Sequence, residues 1–453
     1  MRSMTEKRGA SLTSGPLMRQ ILTFSLPLIA SNLLQVLFNM SDIAVVGQFA
    51  GPNAMGSVGS TTTMVTLFTG LLIGIGSGVN ALTARHAGAG DVDRVRRTVQ
   101  NALVVCFFYG LLIGAAGLAG ARGLLLLLGT KEELLEGAVL YIRIYLLGMP
   151  ALALYNFGNG VLSAVGDTKR PLYCLFFAGV LNVGLNLLFV IVFSMGVAGV
   201  AVASIVSQYV SAGLILFLLL REKGMVGLRL RGLRLSGEYV RPVLALGVPA
   251  GLQNAIFAVA NLFIQAAVNT FDTVIVDGNS AAMNADALVY DVMQAFYVAC
   301  TSFMAQNYGA GKRKRIMKSY YLTLLFSFAS ALVMGVALFF CGRPFLSIFT
   351  THPEVIDAGM LRLSIMSFSY CVSAFMDCTI AASRGLGKTA IPTVIVILGS
   401  CVFRVAWVKT VFVYFHTIPS LYLLYVVSWT LTAIAEILYF RHVSHQTLSA
   451  LPE

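Results

Sequence analysis

The sequence PLIASNLLQVLFN occupies residues 27–39, and PAGLQNAIFAVAN occupies residues 249–261. Both segments start with a proline and share two later asparagines, because Pro27, Asn32 and Asn39 recur 222 residues further along. Two more pairs of segments recur at a separation of 221 residues: HAGAGDVDR (86–94) with NYGAGKRKR (307–315), and GDTKRP (166–171) with GKTAIP (387–392). Three matches at nearly the same separation indicate that one architecture occurs twice in the chain.

The composition is that of an integral membrane protein. Hydrophobic residues make up 58% of the 453 residues and charged residues 11%, and the mean hydropathy is +0.84. A helix needs about 20 apolar residues to cross a bilayer, and the apolar runs here are continuous rather than alternating, so the fold class predicted is all-α with membrane-spanning helices. The breaks between runs predict twelve spans, at residues 18–48, 54–83, 98–128, 133–163, 171–194, 196–220, 242–271, 277–306, 316–350, 354–384, 392–415 and 418–441.

The duplication divides these spans into two pseudo-symmetric six-helix lobes, residues 1–220 and 242–453, joined by a cytoplasmic linker at 221–241. Of the 31 lysines and arginines, 24 lie in the N-terminal tail, the C-terminus and the loops on one side of the predicted membrane. Cytoplasmic loops are enriched in these residues, so we expect a protein of the inner (plasma) membrane with both termini in the cytoplasm.

The net charge of +12 follows from this topology and from attraction to anionic membrane lipids. The basic residues are scattered over seven short segments, which disfavours a nucleic-acid partner. Signals for catalysis are incomplete: SRGLGKT (383–389) lacks the glycine that a phosphate-binding loop needs at Ala382, no histidine is followed by glutamate, and no G-x-S-x-G is present. A membrane-embedded enzyme is therefore the weaker alternative, and we expect no cofactor.

These segments, in this order, resemble the multidrug and toxic compound extrusion (MATE) family, and the closest likeness is to its bacterial branch with a coupling acid in helix 1. The resemblance also includes FSLPLIASNLLQVLFNMSDIAVVGQFAG (24–51) and MGVAGVAVASIVSQ (195–208). It implies a central cavity that opens alternately to each side of the membrane. It also implies an antiporter, expected to be a monomer, that exports amphipathic and often cationic organic molecules in exchange for protons or sodium ions. A flippase for lipid-linked precursors, from the same superfamily, is the alternative transporter.

Asp42 is the first candidate for cation coupling. A charged group in the bilayer costs about 2.5 to 3.5 kcal/mol on insertion scales, so each one is a functional candidate. Asp42 is the one carboxylate of the first six predicted spans that lies away from the loops, and its repeat counterpart is Ile264. In the resembling family the matching acid binds the coupling proton or sodium ion. The alternative is an aspartate that only caps or hydrogen-bonds near the end of helix 1.

Amide and hydroxyl side chains on neighbouring helices complete the candidate coupling site. Asn156 and Asn182 are predicted at similar depth, and Asn182 and Asn186 share a helix face. In the family the position of Asn186 is often aspartate and that of Ser204 often threonine, and both join the helix 1 acid in a cation site. One acid is missing here, so proton coupling through Asp42 is favoured over sodium. Hydrogen bonding between helices is the alternative role of the asparagines.

The second lobe differs in its charges. Asp377 repeats Asn156 and Arg404 repeats Val183, which predicts a structural or gating ion pair between Asp377 and Arg404 rather than a second cation site. Six residues of helices 1, 7 and 8 are candidates for the substrate cavity, with packing as the alternative role: Gln35, Asn39, Gln253, Asn261, Tyr290 and Tyr297.

Overall fold

A computed structural model describes residues 12–451, and within this range the chain forms helices and no strand. Eleven helices are each long and apolar enough to cross a bilayer, and a bent pair of shorter helices supplies a twelfth. The all-α membrane fold with twelve spans is therefore confirmed.

The first six membrane helices are separated by short turns. They are α1 (Leu17–Phe49), α2 (Asn53–Gly88), α3 (Val92–Leu127), α4 (Glu132–Leu146 and Met149–Ala164), α5 (Lys169–Val192) and α6 (Gly196–Arg221).

The break in α4 is a feature that the predicted span 133–163 did not contain. Its two segments meet at 48°. The N–H groups of Leu147 and Gly148 bond to carbonyls three residues back, at 3.0 and 2.9 Å, which tightens the last turn of the first segment. Pro150 then stands in the first turn of the second segment, where its missing N–H costs no hydrogen bond.

The other six helices follow the linker. They are α7 (Gly237–Val268), α8 (Thr273–Gly309), α9 (Arg313–Leu346), α10 (Pro353–Gly385), α11 (Ala390–Phe415) and α12 (Ile418–Ser449). Both α5 and α11 contain π-helical turns, at Leu188–Val192 in α5 and at Ile397–Val402 and Val408–Phe412 in α11. Such turns hold one extra residue and are common at functional sites.

The chain forms two compact units. One includes Leu26–Ala255, and the other combines Gly15–Ser25 with the chain from Ile256 onward. The division falls within α7, and the lobe limits inferred from the sequence remain a prediction. In the first unit the second segment of α4 packs against α2, α3 and α6. In the second unit α10 packs in the same way against α8, α9 and α12, so the duplication extends to the packing.

The linker is held to the first unit by polar contacts. Asn101 of α3 accepts a hydrogen bond from the Ser236 N–H at 2.8 Å, and Arg170 at the start of α5 donates to Glu222 at 2.6 Å. Burial alone would raise the pKa of the Glu222 carboxyl, but hydrogen bonds from the Gly224 N–H and from Arg170 outweigh it and leave this pKa below its ordinary value. Glu222 is therefore a charged anchor of the linker.

Helices α2 and α7 approach each other closely within the first unit. A Cβ on Gly74 would lie 2.1 Å from the Gly251 nitrogen, and a Cβ on Gly78 would lie 2.6 Å from the Gly247 nitrogen. Small residues four apart allow this backbone contact, as at many helix interfaces in membranes.

Candidate cation-coupling site

The Asp42 carboxylate lies in α1 with 8% of the residue exposed. Its Oδ1 accepts a hydrogen bond from Asn186 Nδ2 at 2.5 Å, and its Oδ2 accepts one from Ser204 Oγ at 3.2 Å. Asn186 Nδ2 also lies 3.3 Å from Asn182 Oδ1. The structure thus brings together four predicted residues from α1, α5 and α6.

The site is rich in oxygen and has one formal charge. The side-chain oxygen of Asn186 is buried and has no hydrogen-bond partner among residues 12–451. Asp42 forms no ion pair with any basic side chain in the same range. A buried carboxylate without a cationic partner is costly, so a proton or a small cation that prefers oxygen ligands would stabilise it.

Two tyrosines of α4 also lie beside this carboxylate. The rings of Tyr141 and Tyr145 stack with centroids 5.9 Å apart, and both are within electrostatic range of Asp42. Our sequence reasoning missed them. Their spacing of four residues before the break in α4 is the available signal, but the same spacing is common on buried helix faces.

Asn156 has a different environment from the one predicted. Its Nδ2 donates to the Leu152 carbonyl of its own helix at 2.9 Å, and Asn156 is not among the described hydrogen-bond partners of Asp42. Residue depth along a helix was predicted from the sequence, but the direction of the side chain was not.

The predicted ion pair between Asp377 and Arg404 is corrected by the structure. The ion pairs within 4 Å among residues 12–451 do not include it. Asp377 instead accepts a hydrogen bond from Ser373 Oγ at 2.8 Å, and Arg404 Nε donates to Ser428 at 3.2 Å. Neutral hydroxyl groups occupy the places where the opposite charges were expected.

A buried ion pair that we did not predict lies elsewhere in the second unit. Arg362 of α10 pairs with Asp286 of α8, and Tyr370 donates to the same carboxylate. Arg362 also donates to Asn279 Oδ1 at 2.5 Å. The signal was a charged residue within each of two predicted spans, which the repeat comparison did not reveal because their counterparts, Val65 and Tyr141, carry no charge.

The six predicted cavity residues divide by exposure. Gln35, Asn39 and Asn261 are exposed, Tyr290 is partly buried, and Gln253 and Tyr297 are buried. Tyr290 shares a hydrogen bond of 2.8 Å with Ser373, the residue that donates to Asp377. Tyr290 of α8 therefore contacts a polar cluster on α10 that consists of Ser373 and Asp377.

Twelve membrane helices in two halves that pack in the same way, with ionisable side chains buried among them, are typical of membrane transporters built from internal repeats. The MatE family model matches residues 27–188 and matches again at residues 249–408. The chain therefore belongs to the MATE family, whose members are transporters and not enzymes.

Individual relatives cover most of the chain. A probable multidrug resistance protein of Bacillus subtilis, YpnP, is 30% identical over 79% of this chain and 80% of its own length. An FAD transporter of Shewanella oneidensis is 26% identical over 81% of each chain. The fold is also that of a solved MOP superfamily transporter from Pyrococcus furiosus, with a TM-score of 0.90 and 22% identity over 98% of this chain and 99% of that chain.

Proposed function

We propose that this chain is a secondary active antiporter that exports amphipathic organic solutes in exchange for protons, with Asp42 as the proton-binding group. The proposal rests on one observation: a buried carboxylate whose described hydrogen-bond donors are a neutral amide and a neutral hydroxyl. Such a group is stabilised by binding a cation from one side of the membrane and must release it to take up the next one. Alternating access converts this cycle into transport.

A proton fits the site better than a sodium ion. Asn186 presents its N–H to Asp42, and this donor would oppose a metal ion at the same place. A protonated Asp42 needs an acceptor instead, and the unpartnered oxygen of Asn186 can supply it after half a turn of the amide. Sodium would have only one formal negative charge among its ligands.

The cargo is proposed from the relatives. YpnP is described as a probable multidrug resistance protein, and another relative is an FAD transporter. Both names refer to organic molecules, and FAD is an aromatic anion, so we propose an amphipathic organic cargo of either charge. We place the protein in the cell membrane as a monomer with both termini in the cytoplasm.

The test uses purified protein in lipid vesicles. Efflux of two fluorescent organic solutes, one cationic and one anionic, is measured under an imposed proton gradient and, separately, under a sodium gradient. We expect wild-type protein to respond to the proton gradient and Asp42→Asn to lose this response. The variant should still exchange labelled for unlabelled solute without a gradient, which serves as the control for folding. Equal proton-driven efflux by the variant and the wild type would refute the role of Asp42.

A further inference from the structure

Two arginines are buried in the second unit, and they differ in how their charges are balanced. Arg362 is 2% exposed and pairs with the Asp286 carboxylate. Arg404 is also 2% exposed, but no carboxylate among residues 12–451 lies within 4 Å of it. A guanidinium in this position holds a full charge inside the protein without an ion pair at contact distance.

The hydrogen bonds of Arg404 leave part of its guanidinium group unused. Nε donates to Ser428 Oγ at 3.2 Å, and one terminal nitrogen contacts Asn261 Oδ1 at the long distance of 3.5 Å. The other terminal nitrogen is buried and has no partner in the described part of the chain. Asn261 is exposed, so the buried guanidinium group contacts a polar side chain that reaches the protein surface.

Aromatic rings surround the same guanidinium group. The central carbon of Arg404 lies 4.7 Å from the ring centroid of Tyr425, 5.6 Å from that of Trp429 and 5.7 Å from that of Phe257. These contacts hold the cation in place but accept none of its N–H groups. The indole N–H of Trp429 is a second buried donor without a described partner.

Two unused donors on neighbouring side chains require an acceptor. Asp377 does not supply it, because its carboxylate accepts a hydrogen bond from Ser373 and forms no ion pair with Arg404. Buried donors of this kind are costly when unpaired. An oxyanion would satisfy them, because a guanidinium binds carboxylates through two parallel N–H groups.

We propose that Arg404 and Trp429 form a binding subsite for the carboxylate of an aromatic organic acid. The carboxylate would bind to the terminal nitrogens of Arg404 in place of Asn261, and the ring would pack among Tyr425, Trp429 and Phe257. The proposal names a substrate class and rests on the transport function proposed above. In this proposal Arg404 contacts the transported solute, whereas the sequence predicted that it would pair with Asp377.

The test compares three ligands of one shape in equilibrium binding to the full-length protein in nanodiscs of zwitterionic lipid. The ligands are 2-naphthoate, its neutral analogue 2-naphthamide and the cationic 2-naphthylmethylammonium. We expect wild-type protein to bind naphthoate at least about tenfold more tightly than naphthamide, and the cation least tightly. Equal binding of naphthoate and naphthamide, or tightest binding of the cation, would overturn the proposal without the use of any variant.

Variants then locate the site. Arg404→Gln should lower naphthoate affinity to the level of naphthamide, and Arg404→Lys should keep part of the preference, because it keeps the charge but loses the fork of donors. Lys409→Gln removes the same charge from an exposed position of α11 and should leave affinity unchanged. Unchanged naphthoate affinity in Arg404→Gln protein that unfolds at the wild-type temperature would also overturn the proposal.

This experiment is independent of ion coupling. It is carried out at equilibrium without a gradient, so the response of Asp42→Asn in vesicles does not enter the result. Loss of proton-driven efflux in that variant and loss of naphthoate preference in Arg404→Gln are separate outcomes.

Discussion

In the coupling site that we propose, Asn186 is the residue expected to select the cation bound at Asp42. As an amide it adds no charge and presents an N–H to the carboxylate at 2.5 Å. An aspartate at the same position would place two carboxylates side by side, and repulsion between like charges would favour a bound cation between them. We therefore expect a substitution at this single position to change the ion selectivity of the site.

We expect Asn186→Asp to give the protein a sodium-binding site. Two carboxylates with the oxygens of Asn182 and Ser204 would form an oxygen-rich site with two formal charges, which suits a metal ion better than the present set. The measurement is the shift in thermal unfolding temperature on adding sodium chloride, with choline chloride at equal ionic strength as reference. The variant should be stabilised by sodium, and the wild type should not.

Asn186→Leu is the matched control for this substitution, because it keeps a similar side-chain volume without a charge. It should show no response to sodium. A sodium response in the leucine variant, or none in the aspartate variant, would contradict the idea that the charge at this position selects the ion.

The sequence predicted the partners of Asp42 better than those of Arg404, and the difference has a local cause. The family resemblance supplied Asn186 and Ser204 as partners of Asp42. Asn182 and Asn186 precede the π-helical turn of α5, and their side chains lie together as the spacing of four residues predicts. Arg404 follows the π-helical turn Ile397–Val402, whose extra residue rotates the side chains after it about the helix axis. The repeat alignment with Val183 therefore did not give the direction of the Arg404 side chain.

The number of membrane helices could be predicted from the sequence, but the bend within α4 could not. Continuous apolar runs identified every membrane helix, because length and hydropathy decide whether a segment can span a bilayer. The bend in α4 depends on three consecutive residues, Leu147, Gly148 and Met149, and on Pro150 after them, in a run that is apolar throughout. Hydropathy carries no information about such a local change of direction.

The close contact of α2 with α7 gives a prediction about stability. Gly74→Ala would place a methyl group about where the Gly251 backbone now lies, since the added Cβ would be 2.1 Å from its nitrogen. Overpacking of this kind typically costs about 1 to 3 kcal/mol. We expect the variant to unfold at a lower temperature than the wild type, measured by thermal unfolding in detergent.

Gly59→Ala provides the comparison on the same helix. A Cβ at Gly59 meets nothing within 4 Å, so the change should act only through helix propensity and stabilise the protein by up to about 1 kcal/mol. Equal unfolding temperatures for the two alanine variants would mean that the close approach of α2 and α7 does not constrain the fold.

The two halves of the chain pack their helices in the same way but differ in the positions of their buried charged residues. At a separation of 221 residues, Arg362 occupies the repeat position of Tyr141 and Arg404 that of Val183. The second half therefore contains fixed cations at two positions where the first half has neutral residues. A fixed guanidinium cannot be loaded and released, so our proposal assigns the exchangeable cation to a buried carboxylate, Asp42.

We expect the orientation of the chain in the membrane to follow from the excess of lysine and arginine in the loops on one side, and this expectation can be tested directly. Of the seven cysteines, Cys341 is exposed and the other six are buried, so Cys341→Ser gives a background with little thiol reactivity. Lys131 lies exposed between α3 and α4, and Lys223 lies exposed between α6 and α7. With both termini in the cytoplasm, an odd number of spans precedes Lys131 and an even number precedes Lys223, so these two positions must face opposite sides.

We expect a membrane-impermeant maleimide to label Lys131→Cys in intact cells and to label Lys223→Cys only after the cells are permeabilised. The physical reason is the excess of lysine and arginine on the side of Lys223, which resists translocation during insertion. The reverse labelling pattern would place both termini outside the cell. It would contradict the orientation that we expect from the lysines and arginines.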